Sequence, residues 1–404
     1  MKIVGINSHP GGSTKNIMIS ILDVAEKEIG SETYAFWGNW KTKEKGCFNR
    51  RRFGFYIENA VSGLFSRFAG IHGEGSILGT LLLIRKLKRI KPDIIHIHNI
   101  HLWTINIPLL FKYIKKNNIK VVWTLHDCWA FTGHCTHFLQ TGCSKWMSGC
   151  YDCNSLRRYP FSYRDKSAKM WNKKKRWFSD LENLIIITPS VWLSKIVRKS
   201  FLQSYEVRVI NNGIDLTVFH PIASKFRTRH ALGDKFIVLG VAFQWGHSKG
   251  LDVFKKLYMD LNKDKYTIVL VGTSEMIEKD LPKDIITIRR TSNQKELAKI
   301  YSAANVFVNP TREDNFPTTN IESLACGTPV VTFDVGGCAE IIDDYTGVSV
   351  PCNDYNSIKK NIINICEGHM ISSENCIKRA QMFIADDKYR EYCEVYKELM
   401  SGEI

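Results

Sequence analysis

The 404 residues are 44% hydrophobic and 24% charged, with a net charge of +16, which excludes a disordered chain and makes two domains the default for this length. No apolar run approaches the roughly 20 residues of a membrane-spanning helix. The opening MKIVGINSHPGG lacks the apolar core and cleavage site of a secretory signal, so the expectation is a cytoplasmic protein. Residues 1–200 hold 32 Lys+Arg against 13 Asp+Glu, and the remainder 24 against 27. A basic half attracts polyanions, so an anionic inner-membrane surface or a phosphorylated acceptor is expected as partner, with the protein peripherally associated there. No nucleic acid is expected, since no RNP, zinc-finger or helix-turn-helix pattern accompanies the charge.

In chain order, Ile3 to Ile6 is a buried strand, Ser8 to Thr14 a glycine-bearing turn, and Ile17, Ile21 and Val24 mark a helix. Gly11 and Gly12 in that turn would let the backbone approach a phosphate at the helix N-terminus, although any tight strand-to-helix turn also uses such glycines. Lys41 to Phe55 and Lys166 to Phe178 interleave basic and aromatic residues. That pattern suits a lipid headgroup layer, or equally a solvated helix face with packing aromatics. A basic helix from Leu81 to Ile90 precedes a strand at Asp93 to His98, and Lys120 to Leu125 runs into His126-Asp127. A histidine at a strand's carboxyl end can donate to a hydroxyl or shuttle a proton, or be a satisfied polar group like its neighbours His96, His98 and His101. Cys135-x7-Cys143-x6-Cys150-x2-Cys153 follows. Four thiolates would suit structural tetrahedral zinc, and free thiols or disulfides are the alternatives.

Strands at Leu184 to Pro189 and Val207 to Ile210 complete a first series. A second runs through Phe236 to Gly240, Tyr266 to Val271, Ile285 to Arg289, Val306 to Asn309 and Val330 to Asp334, with helices between, such as Gln294 to Ala303. Strands alternating with helices imply parallel sheets with right-handed crossovers. The expected fold class is α/β, with two Rossmann-like doubly wound domains facing across a cleft, residues 1–205 binding acceptor and 206–384 binding donor. Ile377 to Met400 reads as one helix, and residues 385–404 are expected to pack back on the first domain. Ligands of such sheets bind beyond the strands' carboxyl ends.

Two motifs of the second series sit there. Gly246-His-Ser-Lys249-Gly250 places a lysine on a glycine-flanked loop, where it can neutralise a diphosphate or be a plain turn lysine. In Asn309 to Val331, Asp314 and Glu322 lie eight apart, with Glu313 adjacent. A carboxylate there can accept two hydrogen bonds from vicinal hydroxyls. The alternatives are a turn aspartate and a capping box, Thr319-Asn-Ile-Glu322.

Taken with Thr188-Pro-Ser190, Asn212-Gly-Ile-Asp215…Phe219-x-Pro221 and Glu322-Ser-Leu-Ala-Cys-Gly-Thr-Pro-Val330, these segments resemble the large retaining GT-B glycosyltransferase family called family 4. The HDCWAFTGHC stretch further resembles its surface-polysaccharide branch, which includes colanic-acid-type transferases. The resemblance implies transfer of a sugar from a nucleoside diphosphate to a hydroxyl of a lipid-linked saccharide, with retention and no cofactor required for catalysis. It places Gly12, with Gly11, near the donor phosphates and His126 beside the transferred sugar. It places Lys249 on the diphosphate and Glu322 on the ribose hydroxyls, as the second glutamate of the family's E-x7-E. This chain departs twice: Asp314, next to Glu313, replaces the first glutamate, and the arginine usual before the lysine is absent from Ala242 to Lys249. A sugar-nucleotide epimerase and a catalytically silent assembly scaffold are the alternatives.

Overall fold

The structure is a computed structural model that describes residues 1–38, 49–101, 103–368 and 371–402. It divides into two units, Met1–Asn211 with Lys388–Ile404, and Asn212–Asp387.

The first unit is built on β1 (Lys2–Asn7), β2 (Glu32–Gly38), β3 (Arg50–Phe53), β4 (Ile94–Ile97), β5 (Lys120–Thr124), β6 (Leu184–Thr188) and β7 (Glu206–Val209). All seven are parallel, in the order β3-β2-β1-β4-β5-β6-β7. The central strands are apolar almost throughout because helices cover both faces of such a sheet; every residue of β4 and β6 is buried. The unit takes in β7 and ends at Asn211, a few residues beyond the boundary expected at 205. The edge strand β3 carries three arginines, and Arg50 pairs with Asp23; residues 41–48 of that basic segment lie outside the described residues.

The other basic–aromatic segment forms the Ser167–Phe178 helix, and its aromatic side faces inward: Trp171 and Phe178 are buried. Lys174 is wholly buried on the same side. Its Nζ donates to the Trp129 carbonyl at 2.7 Å and the Thr132 carbonyl at 2.9 Å, and lies 3.4 Å from the centre of the Trp129 ring. Burial pushes its pKa well below the usual lysine value, against the pull of Cys150, Cys135 and Asp127. Lys174→Met keeps the volume but strands two buried carbonyls, so stability should fall by about 2–3 kcal/mol. A urea midpoint unchanged from the native chain would show that those carbonyls find other donors.

The second unit has six parallel strands, β8 (Phe236–Val241), β9 (Tyr266–Val271), β10 (Ile286–Ile288), β11 (Val306–Asn309), β12 (Val330–Phe333) and β13 (Gly347–Val350). Their order is β10-β9-β8-β11-β12-β13. In both sheets the chain reverses its direction of winding after three strands, between β1 and β4 and between β8 and β11. Those are the topological switch points at which open parallel sheets bind ligands.

The expected single helix over 377–400 is two. A Ser373–Ala380 helix ends in one tight turn, Gln381–Phe383, and a new helix runs from Ala385 to Ser401. The break lies at Ile384, which bridges Ile214: Ile214 N–H donates to the Phe383 carbonyl and Ala385 N–H to the Ile214 carbonyl, both at 2.9 Å. A Cβ on Gly213 would stand 2.4 Å from the Ala385 Cα, so the glycine of Asn212-Gly-Ile-Asp215 is needed for that close approach. The later part of the last helix belongs to the first unit. There Tyr396 OH meets His96 Nδ1 at 2.6 Å, and Arg208 pairs with Glu398 at 2.6 Å. Among the described residues no helix is long and apolar enough to cross a membrane.

Candidate functional site

In the second unit the loop after β8 carries Lys249 and the loop after β11 carries Asp314, so both stand at the switch point. Lys249 Nζ lies 2.7 Å from Asp314 Oδ2, 3.3 Å from Thr311 Oγ1 and 3.5 Å from the Glu313 carbonyl. Burial opposes the charge on Lys249, but the adjoining Asp314 carboxylate outweighs it and raises the pKa above the usual lysine value. The ammonium therefore stays charged at neutral pH. Of the two adjoining carboxylates, Asp314 meets the lysine through its side chain and Glu313, which is buried, through its backbone.

Glu322 lies on the Thr318–Ala325 helix that follows. The alternative reading, a capping box, is not formed, because the N-cap position is Pro317 and the helix begins at Thr318. Glu322 Oε2 instead accepts from Tyr301 OH at 3.3 Å. Burial pushes its pKa up to about 7, although the Thr318 and Tyr301 hydroxyls pull the other way.

Two residues that sequence reasoning missed hold this arrangement. Arg312 is buried and fully engaged: its guanidinium grips Asp252 through two bonds of 2.8 and 2.7 Å, donates to Asn353 Oδ1 at 2.7 Å, and reaches the His247 carbonyl. Its backbone N–H donates to the Ser248 carbonyl at 2.8 Å. Arg312 thus ties the Lys249 loop to the Asp314 loop and does not stand in for the missing phosphate arginine. The other is Gly336, at φ +60°, where a Cβ would come within 1.7 Å of the Asp314 carbonyl oxygen. The available signal was the Gly336-Gly337 pair just past β12.

The first unit presents its own set at the β1/β4 switch point. Gly12 caps the Ser13–Ile29 helix at φ 85°, ψ 177°, a conformation only glycine adopts readily, and no side chain caps that helix. Nothing lies within 4 Å of where a Cβ on Gly11 or Gly12 would be, while the Gly11 N–H donates to His9 Nδ1 at 3.1 Å. His126 follows β5, and its Nε2 lies 2.9 Å from His98 Nδ1, one ring donating and the other accepting. Burial is the main cause that lowers the His126 pKa to about 4, so it is neutral at physiological pH. It is suited to hydrogen bonding a hydroxyl, not to shuttling protons near neutrality. Asp127 beside it stands 2.8 Å from His101 Nε2 and accepts the Trp129 N–H at 2.8 Å; Tyr159 OH meets the other His101 nitrogen at 3.1 Å.

The four cysteines expected to hold structural zinc, Cys135, Cys143, Cys150 and Cys153, lie in the stretch between β5 and the Ser167–Phe178 helix. Among the described residues no group of three or more His, Cys, Asp or Glu side chains is arranged to hold a metal ion, and the eleven described cysteines are free thiols. Cys135 and Cys153 lie close enough to interact, which raises the pKa of Cys135 and lowers that of Cys153. Cys150 Sγ accepts the Gly133 N–H at 3.1 Å. Stacking of Phe138 on Trp146 and the Lys174 bonds hold the loop together.

Residues 57–218 match the model of the glycosyltransferase family 4 domain and residues 223–383 that of glycosyl transferases group 1. The chain is similar to the putative colanic acid biosynthesis glycosyl transferase WcaC of Escherichia coli, 24% identical over 268 residues, which span 64% of each chain. The match thus covers slightly less than two thirds of that relative. Among solved structures, sucrose-phosphate synthase from Thermosynechococcus elongatus superposes with a TM-score of 0.72 at 19% identity over 99% of both chains. Anabaena HepE in complex with UDP-glucose does so with a TM-score of 0.67 at 13% identity, over 98% of this chain and 100% of that one. With both family models matched in order and the fold shared along its whole length, the chain belongs to the family 4 glycosyltransferases of the GT-B fold.

Proposed function

We propose that the protein transfers a sugar from a nucleoside diphosphate to a hydroxyl of a lipid-linked saccharide in surface polysaccharide biosynthesis, with retention at the anomeric carbon. The observation that carries this is a lysine kept charged at a topological switch point, with a half-buried carboxylate on the next helix. Breaking the glycosyl–phosphate bond leaves negative charge on the diphosphate, so a fixed cation there stabilises the transition state more than the ground state. In this reading Lys249 takes the diphosphate, trading part of its pairing with Asp314, and Glu322 accepts the ribose hydroxyls. Asp314, set by Lys249, orients the sugar, with Glu313 buried behind it. In the first unit, the uncapped helix N-terminus that the Gly11–Gly12 turn leads into offers N–H groups to a phosphate oxygen and His126 bonds a sugar hydroxyl. The leaving phosphate takes the acceptor's proton, as front-face attack requires, and the chain's own residues need only position and neutralise. The UDP and UDP-glucose held by the HepE structures support a nucleoside diphosphate sugar as donor.

Screening nucleotide sugars by thermal shift tests the reading, since a ligand of the native state alone raises the melting temperature with its affinity. One nucleotide sugar should stabilise the protein and yield free nucleoside diphosphate only with acceptor present. Release of epimerised sugar without acceptor, or no response to any nucleotide, would overturn it.

Glu322 adds a pH signature. Its ionised form offers both oxygens to the two hydroxyls and accepts more strongly than the acid, so donor affinity should rise by up to about tenfold per pH unit below about pH 7 and level off above. Stability should run the other way. The folded-state pKa lies above the unfolded value, so the contribution is complete in acid and is lost as pH climbs through about 7. Glu322→Gln should flatten both curves, as read by nucleotide titration and by melts at several pH values; an unchanged slope would remove Glu322 from the donor site.

A further inference from the structure

The Tyr56–Ala69 helix is packed inside out. Its buried side consists of Asn59, Ser62, Gly63 and Ser66, whereas Ile57, Val61, Leu64, Phe65 and Phe68 are between 54 and 76% exposed. These apolar positions recur at helical spacing and form one outward stripe. The inner side is fixed in place. Ser76 Oγ donates to Asn59 Oδ1 at 2.8 Å, Ser76 N–H donates to Ser62 Oγ at 2.9 Å, and a Cβ on Gly63 would strike the Trp103 ring at 2.8 Å. Turning the stripe inward would bury unpaired polar groups and collide with Trp103, so it is no displaced core face.

The Ile77–Ile90 helix extends the patch. Both Glu58 carboxylate oxygens accept its first N–H groups, from Leu78 at 2.7 Å and Gly79 at 2.9 Å, which sets its first turn beside the stripe. Ile77, Leu78 and Leu81 are 41 to 60% exposed. The same outward line then continues as Arg85, Lys88 and Arg89, all exposed. Residues 55–91 hold six Lys/Arg and two Asp/Glu; of the acids, Glu58 is spent on that helix and Glu74 pairs with Lys173.

We propose that this face docks on an anionic lipid bilayer. The Tyr56–Ala69 helix lies along the headgroup boundary with Leu64, Phe65 and Phe68 immersed, and Arg85, Lys88 and Arg89 rest on the headgroups. A contiguous apolar patch of this kind is uncommon on a surface that meets only water. The cationic border selects among its occupants: a two-fold contact between copies would bring like charges together, whereas anionic lipid neutralises them. The contact lies apart from the segments in which sequence alone sought it, and it does not depend on the transfer reaction.

Co-sedimentation with vesicles tests it, using phosphatidylcholine alone and phosphatidylcholine with about one third phosphatidylglycerol. The protein should pellet with the anionic vesicles. Leu64→Ser/Phe65→Ser/Phe68→Ser should weaken binding at least tenfold, and Arg85→Gln/Lys88→Gln/Arg89→Gln should abolish the preference for anionic lipid. Both variants should keep the native melting temperature and any nucleotide response, which separates this contact from failure of the donor reading. Undiminished binding by the apolar variant overturns the proposal. So does a native dimer that this variant converts to monomer while vesicles bind neither, which would assign the face to a second copy.

Discussion

Lys249→Ala should lower donor-dependent release of nucleoside diphosphate by about 10²–10³-fold, the usual cost of removing one preorganised charge-stabilising group. The change acts twice. It removes the cation on which charge develops, and it leaves Asp314, now 2.7 Å from nothing positive, facing an incoming diphosphate. Lys249→Ala/Asp314→Asn should therefore recover part of the lost donor affinity while the rate of bond breaking stays low. Lys249→Arg keeps the charge and should fall between. Nucleotide titration combined with single-turnover release separates the two effects, and activity of Lys249→Ala within threefold of native would remove the lysine from the mechanism.

Gly336→Ala should be severely damaging to the second unit. The backbone there is left-handed, which costs any other residue about 1 kcal/mol or more, and the added Cβ would lie 1.7 Å from the Asp314 carbonyl oxygen. That oxygen belongs to backbone and cannot swing aside, so the loop carrying Asp314 must move. A shift of about 1 Å in a positioning group costs on the order of 10²-fold in rate, and the strain should remove about 2–4 kcal/mol of stability. Gly233→Ala is the control. It is also left-handed, at φ +51°, but nothing lies within 4 Å of its added Cβ. It should cost about 1 kcal/mol and leave turnover intact. Equal losses in the two variants would show that backbone strain alone, and not displacement of Asp314, is responsible.

The central strands were legible because a parallel sheet covered on both faces demands near-continuous apolar runs, as Phe236–Val241 and Ile268–Val271 supply. The edges were not. Arg50–Phe53 is three arginines and a phenylalanine, and Gly347–Val350 opens on a glycine and buries only its ends. Lys249, Asp314 and Glu322 could be found since each lies in a short motif past a strand. Arg312 and Tyr301 could not, because what defines them is a partner far along the chain, Asp252 and Glu322; for Gly336 only the glycine pair was visible, not the Asp314 carbonyl it makes room for. The Tyr56–Ala69 helix shows the limit of periodicity most clearly. A 3.6-residue apolar stripe says that one side differs from the other, and only the packing of Gly63 on Trp103 reveals which of them faces out.

The break at Ile384 also governs the order in which the protein can be completed on the ribosome. The second sheet and its helices are finished once residue 387 has emerged, whereas the first unit still lacks Tyr396, the partner of its buried His96. The part synthesised first is thus the last to close, and until Tyr392, Tyr396 and Leu399 arrive the face they bury stands open, a window in which chaperones or proteases would find it.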